Sequence, residues 1–294
     1  MKTFDNALNN QDFTITSEVF LRPDTDEEAI RVQADILRES VDAILVTDNQ
    51  SGQLHMSSLS AGILLKKADI DPIVQLSCRN RNRISLLSDL LGCTALGITN
   101  LMLTRGDRVP LEFNPRPKAI MDVNATELIA LANNIKQDEK LRTNNQFLMG
   151  GVVTPFAPKS GWPAKNLAEK IDAGAQFVIT HTCLELDLLK SYMKRLVETQ
   201  LLRRMHLIVG IAILKTAEDA RWFRQNRPNV NIPASIVTRL EEASDPNQEG
   251  IDICAEQLDA LAQIPGVSGA HIIASNSVLN IPEAVKKSGI YQPI

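Results

Sequence analysis

Cysteine is scarce in this chain: four in 294 residues, at 78, 93, 183 and 254, scattered with no CxxC pair and no Cys/His cluster of the zinc-site kind. That distribution argues for reduced structural thiols and against a disulfide framework or a zinc site. Long apolar runs are missing too. None approaches the ~20 residues of a membrane-spanning helix, and the opening stretch 1–13 is polar, without the apolar core of a secretory signal. There is no basic excess, since the net charge is −4, which sets aside the electrostatic footprint of a nucleic-acid binder. Neither GxGxxG nor a P-loop pattern occurs, so no glycine-rich phosphate cradle is written into the sequence. Of the four histidines, no two are spaced as metal ligands. These absences lead to the expectation of a cytoplasmic protein that works without metal, nucleic acid or membrane.

What is present is alternation. Hydrophobic residues make up 44% and charged residues 22% of the chain, ample for a large core. Apolar or β-branched runs at 14–20, 43–47, 72–77, 100–104, 147–153, 177–182, 206–213 and 269–274 read as strands. Helical periodicity fills 26–39, 57–68, 83–96, 124–136, 164–173, 185–199 and 216–226, with a final stretch from 279. Two further helical segments lie in 232–264, broken near Asp245-Pro246. Eight strand–helix units in this length predict a (β/α)8 TIM barrel, one domain over 1–294, and near-continuous hydrophobicity in the strands fits a parallel sheet covered on both sides. A doubly wound sheet is the competing fold. Its first strand would run into a glycine-rich loop, whereas this one ends in Phe20-Leu21-Arg22-Pro23.

In a barrel, chemistry gathers where strands end and βα loops begin. Those ends hold Glu18, Thr47-Asp48-Asn49, Gln75-Ser77-Cys78, Arg105-Gly106-Asp107, Thr154-Pro155-Phe156, His181 and Ser275-Asn276. Glu18 stands in an otherwise apolar strand, where burial would raise its pKa and keep a transferable proton on it; a carboxylate at a strand edge facing solvent is the plain alternative. Asp107 follows a glycine that can bring backbone close to a flat ligand, or is merely a turn residue. His181 would meet a ligand at the mouth or serve the structure, while His55 and His271 read as structural or peripheral and His206 as lying at the bottom face. Arg79, Arg81 and Arg83 cluster where the third strand meets its helix, suited to an anion or to a solvated helix start. Lys170 alone reads as surface.

Taken in order, Glu18, Gln75-Leu76-Ser77-Cys78 with Arg79-Asn80-Arg81-Asn82, Ser88-Asp89-Leu90-Leu91-Gly92, Gly97-Ile98-Thr99-Asn100 with Arg105-Gly106-Asp107, Thr154-Pro155-Phe156-Ala157-Pro158, and Lys170 with Asp172-Ala173-Gly174-Ala175 resemble the methylenetetrahydrofolate reductase family. The resemblance runs from about residue 15 to 285. It implies a flavoprotein that reduces methylenetetrahydrofolate to methyltetrahydrofolate in one-carbon metabolism with bound FAD, drawing electrons from NAD(P)H or a protein donor, with a homo-oligomer left open. Glu18 would be the general acid, and Asp107 would stabilise the cationic intermediate and tune the flavin. Thr47, Arg105, Gly106, Asp107, Gly150, Val152, Phe156 and Lys170 would hold FAD, and Asp107 and His181 the folate. The chain departs from the family at His181, where a glutamine is usual, at Gln75 for histidine, at Val152 for an aromatic residue, and near Ser277, where some members have arginine. The resemblance also implies a short, bacterial-type catalytic unit. These departures keep two alternatives open: a flavin-free relative or a pterin- or corrinoid-linked methyltransferase on the same barrel, and a noncatalytic subunit of a redox complex.

Overall fold

The structure, a computed structural model, describes residues 3–10, 13–111, 113–135, 147–227, 229–274 and 277–290. Eight parallel strands, β1 (Thr14–Glu18), β2 (Ala43–Val46), β3 (Pro72–Ser77), β4 (Asn100–Thr104), β5 (Leu148–Val153), β6 (Phe177–Thr180), β7 (His206–Ile213) and β8 (Gly269–Ala274), close a barrel in chain order. Closure is between β1 and β8, where Thr16 lies opposite His271 and Ser17 opposite Ile272. The expected (β/α)8 TIM barrel is therefore the fold.

A short helix α1 (Phe4–Asn10) precedes the first strand, and α2 (Glu27–Leu37), α3 (Ser58–Lys67), α4 (Arg83–Ala95), α5 (Ala125–Ile135), α6 (Lys165–Ala173) and α7 (Leu186–Thr199) follow β1 to β6 singly. Three helices, α8 (Ala217–Asn226), α9 (Ala234–Glu242) and α10 (Pro246–Ala262), separate β7 from β8, and α11 (Ile281–Ser288) closes the ring. Side-chain caps start several of them: Asp26, Ser57, Asn82 and Thr216 each accept a backbone N–H of the first turn, satisfying a donor the helix itself leaves open. The break read at Asp245-Pro246 is the start of α10, with Asp245 as cap and the proline in the first turn, where a missing N–H costs nothing.

Alternation along each strand sorts its residues between two cores. Ala43, Leu45, Ile73, Met102, Leu148, Phe177, Ile179 and Ile208 fill the barrel interior. The intervening positions, such as Ile44, Val74, Leu101 and Val178, pack under the helices. Phe177 takes so much interior space that a Cβ on Gly150 would lie 2.2 Å from its ring. Helix α1 stoppers the lower end: Phe4 meets Phe177 edge to face at 5.1 Å, and its N–H donates to Asp71 Oδ2 at 2.8 Å. The sequence reading took this stretch as merely polar, yet Phe4, Ala7 and Leu8 fall on one helical face and are buried.

Strand ends are shorter than expected in places. The run read as 14–20 leaves the sheet after Glu18: Val19 N–H still reaches Leu45 O, but Phe20 N–H turns to Gln33 Oε1 at 2.7 Å. The runs read to 47 and 182 end at Val46 and Thr180. Ser275 and Asn276, expected to close the last strand, lie outside the described residues. Among the described residues, no helix is long and apolar enough to cross a membrane.

Candidate active site

The alternation that points Thr14 and Thr16 inward also turns Glu18 inward at the C-terminal end of β1. Continued past β2 and β6, it brings Thr47 and His181 to the same rim, beside Gln75, Thr104 and Val152. Gln75 Nε2 donates to Thr104 Oγ1 at 3.0 Å. Most of the interior is apolar, but the β8–β1 seam is not. Thr16 Oγ1 lies 3.0 Å from His271 Nδ1, and the other nitrogen of that ring, Nε2, lies 3.7 Å from Glu18 Oε2. Thr16, Glu18 and His271 are all buried. His271 is thus the nearest ionisable neighbour of Glu18, which corrects its reading as structural or peripheral.

Two side chains complete the surroundings of Glu18. Gln50, in a short turn of 3₁₀ helix (Gln50–Gly52) after β2, presents Nε2 at 3.4 and 3.5 Å from the two carboxylate oxygens. Its Oε1 accepts from Arg227 Nη2 at 3.4 Å, across the mouth from the end of α8. Burial pushes the Glu18 carboxyl up, but the His271 ring, the charge of Arg227 and the Gln50 amide outweigh it and hold the group below the ordinary carboxylate value. The expected raised pKa is therefore overturned: desolvation acts as anticipated, and partners from three distant segments reverse it.

Asp107 grips the same turn. Its Oδ2 accepts the Ser51 N–H at 2.7 Å, so both candidate carboxylates hold adjacent residues, one by side chain and one by backbone. The turn is strained, with Asn49 and Ser51 at φ of 53° and 54°, a region ordinary residues avoid. Beside it lies a cavity of about 220 Å³ lined by Asp48, Asn49, Ser77, Arg79, Asp107 and Phe113 among others. Arg79 Nε is buried there without a hydrogen-bond partner. The arginine cluster divides: Arg81 bonds Asp48 and Asp89, while Asp48 also accepts Ser77 N–H and Oγ–H, fastening the β2 end to the β3 end. Arg83 is exposed.

Other expected site residues lie apart. Arg105 is exposed. Gly106 has φ of 87°, and a Cβ there would come within 2.9 Å of Ser77 and Arg79, so its glycine is required by close approach to β3. Gly150 serves the Phe177 contact one layer below the mouth. Phe156 meets Trp162 edge to face at 4.9 Å and Tyr192 at a tilt at 5.7 Å. Lys170 lies along Gly151 on the outside of the sheet and opens on a separate groove with Asn124, Thr126, Glu127 and Asn166. Burial pushes its ammonium below the ordinary value, against the opposing charge of Glu169. Half-buried His181 is likewise pushed down by burial and by Arg227, with Asp107 opposing. His206 lies at the lower end, beside Asp5 and Leu8. All four cysteines are buried and free, and burial pushes Cys78 up to about 11 and Cys93 up to about 12, poor nucleophiles. Among the described residues, no three His, Cys, Asp or Glu side chains gather as a metal site.

Sequence reasoning missed Gln50, Arg227 and His271. Only His271 carried a signal: its strand parity opposite Thr16 points it into the barrel.

A (β/α)8 barrel with a buried carboxylate in a polar seam and a second carboxylate on the β4 loop defines an enzyme-like site at one mouth. The family model for methylenetetrahydrofolate reductase matches residues 3–289, and the chain belongs to that family. A probable methylenetetrahydrofolate reductase (NADPH) of Caenorhabditis elegans is 22% identical over 244 residues, covering 80% of this chain and 35% of that protein. The chain thus spans about a third of the length of this curated relative. Among solved structures, a protein from Clostridium thermocellum that binds two copies of 5-methyl-5,6,7,8-tetrahydrofolic acid has a TM-score of 0.63 and 15% identity, covering 97% of this chain and 96% of that one. Oxaloacetate acetylhydrolase, in complex with an inhibitor, has a TM-score of 0.52 and 10% identity over 97% of this chain and 82% of that one. At these identities the structures speak for the fold alone.

Proposed function

We propose that this protein is an oxidoreductase reducing methylenetetrahydrofolate to methyltetrahydrofolate with FAD, NAD(P)H or a protein serving as electron donor. The observation that carries the reading is two carboxylates at one mouth: Glu18 buried at the end of β1, and the exposed Asp107 on the β4 loop, lining a cavity. Family membership and the folate held by the Clostridium thermocellum barrel support the substrate class. The NADPH in the name of the nematode relative supports a pyridine nucleotide.

The residues present fit a flavin. The cavity beside Asp107 offers a buried, unpartnered Arg79 Nε to a hydrogen-bonding ring edge, and the separate groove at Lys170, which Glu127, Glu169 and Asp172 also line, offers a cation and the amide of Asn166 to the hydroxyls of a ribose. Thr47, Gly106, Asp107 and Arg79 would hold the ring half, and Lys170 the nucleotide half, with Phe156 on its aromatic cluster nearby. Bound FAD would carry the hydride between donor and folate.

The chain's own residues do the rest. Glu18, once protonated, gives its proton to the folate nitrogen as the five-membered ring opens. The Asp107 carboxylate stabilises the cationic iminium that results. His181, neutral near pH 7 because burial disfavours its charge, offers the pterin one donor and one acceptor. The decisive experiment is anaerobic. Purified protein, reconstituted with FAD, should lose its flavin absorbance on addition of NADH or NADPH and regain it on addition of methylenetetrahydrofolate. Protein that takes up no flavin from a micromolar excess and still turns over methyltetrahydrofolate would favour the methyltransferase reading, for which Val152 and Gln75 speak.

A further inference from the structure

We propose that Arg227 and Gln50 form a relay that couples the arrival of an anionic substrate tail to proton uptake at Glu18. The inference rests on the folate reading above, because folates carry a glutamate carboxylate tail, and it answers a difficulty in that reading. A general acid must hold a proton, yet the surroundings of Glu18 in the ligand-free chain favour its ionised form.

The geometry is a chain of three groups across the mouth. Arg227 Nη2 donates to Gln50 Oε1, and the same amide turns Nε2 toward both oxygens of Glu18. Only this amide orientation serves both neighbours. Reversed, it would set a carbonyl against a carboxylate and an NH₂ group against a guanidinium. Arg227 therefore acts on Glu18 twice, through its charge and by fixing the amide. The contacts, at 3.4 to 3.5 Å, are long, so a better partner can exchange them.

Arg227 is also equipped to receive that partner. Its guanidinium is held over the Phe223 ring at 4.8 Å. Its Nε is buried and has no hydrogen-bond partner. Among the described residues, no carboxylate forms an ion pair with it. An incoming carboxylate would find Nε and an Nη in the fork that guanidinium presents to such groups. Once paired, Arg227 no longer offers net charge to the mouth and no longer fixes Gln50. The ionisable group then left against Glu18 is His271, on β8; Thr16 faces that ring from β1, Asp107 holds the neighbouring Ser51, and His181 feels the charges of both Asp107 and Arg227. A buried carboxylate stripped of two supports takes a proton from solvent. One O–H bond forms, and no other bond changes. The acid is thereby armed when substrate is present and unarmed when the mouth is empty.

The test measures protons directly. Wild-type protein in weakly buffered solution with a pH indicator is mixed with methyltetrahydrofolate, and separately with methyltetrahydropterin, which lacks the tail. The folate should take up as much as one proton per bound molecule, and the pterin should bind without uptake. Glu18→Gln should abolish uptake; Arg227→Leu and, independently, Gln50→Leu should reduce it severalfold. Bound folate without uptake, or uptake unchanged in both relay variants, overturns the proposal. A ligand-free arm separates this failure from failure of the folate reading. By infrared difference against Glu18→Gln, the carboxyl midpoint should rise by about one pH unit in Arg227→Leu. An unmoved midpoint overturns the relay whether or not folate binds.

Discussion

Two walls of the same barrel are built in opposite styles. Along β8 and β1 the interior carries Thr14, Thr16, Glu18 and His271, all buried. Across from it, β4 to β6 contribute Met102, Leu148, Phe177 and Ile179, with Gly150 emptied of its side chain to admit the Phe177 ring. The apolar wall is what a packed barrel needs. The polar wall is a liability, since each buried polar group must find a partner or weaken the fold. Thr16 and His271 satisfy each other, but His271 Nε2 stops 3.7 Å short of Glu18. A fold retains such a seam where it has chemistry to do there. The apolar wall shapes the vessel, and on the proposed reading the polar wall would handle the proton.

The sharpest way to break this comparison is Glu18→Gln, which keeps size and hydrogen bonding but removes the proton. Folate reduction should fall by about 10²–10⁴-fold, while bleaching of flavin by its electron donor stays near wild type; equal losses in both half-reactions would make the seam structural. The same variant carries a stability signature. Because the folded chain holds the Glu18 carboxyl below its ordinary value, the group stabilises the fold above its unfolded pKa, and the contribution is lost as pH falls through the folded value. Denaturant midpoints measured against pH should therefore drop less steeply on the acid side for Glu18→Gln than for wild type.

On the apolar wall the expected effect is on stability alone. Gly150→Ala drives a methyl into the Phe177 ring and should cost about 1–3 kcal/mol in urea unfolding, with the pH dependence of turnover unchanged. A smaller effect, on the order of 1 kcal/mol, is expected for Thr16→Val, which leaves His271 Nδ1 without its partner; it should also alter the pH profile, as Gly150→Ala should not. Smallest is His181→Gln, expected to change KM for folate by less than about tenfold, the worth of one net hydrogen bond. Since burial already disfavours the imidazolium, the pH profile above ~6.5 should not move.

Most of the architecture was legible because strand and helix periods differ and recur eight times. The Asp245-Pro246 break could be read too, being local chemistry. Helix α1 escaped because seven residues with three apolar positions make a weak periodic signal. For the site, position at the strand ends was enough to bring Glu18, Gln75 and His181 to one rim. What surrounds Glu18 was not readable, because Gln50, Arg227 and His271 converge from the β2 loop, the end of α8 and the middle of β8. Burial alone predicts the wrong direction for its pKa, and no local pattern announces partners that only the closed barrel assembles. Nor could the sequence show that Gly150, which the resemblance sets among the FAD positions, faces the Phe177 ring across the barrel interior.

The stopper at the lower end has a consequence for how the chain comes to be made. Helix α1 leaves the ribosome before the barrel does, yet its seat is built from Asp71 before β3 and from Phe177 on β6. Until more than half the chain has emerged, Phe4 and Leu8 have nowhere to be buried, and seven residues are too few to hold a helix in water alone. A segment synthesised ahead of the barrel is therefore among the last to settle. Its apolar face waits in the open while the wall that will receive it is still being translated.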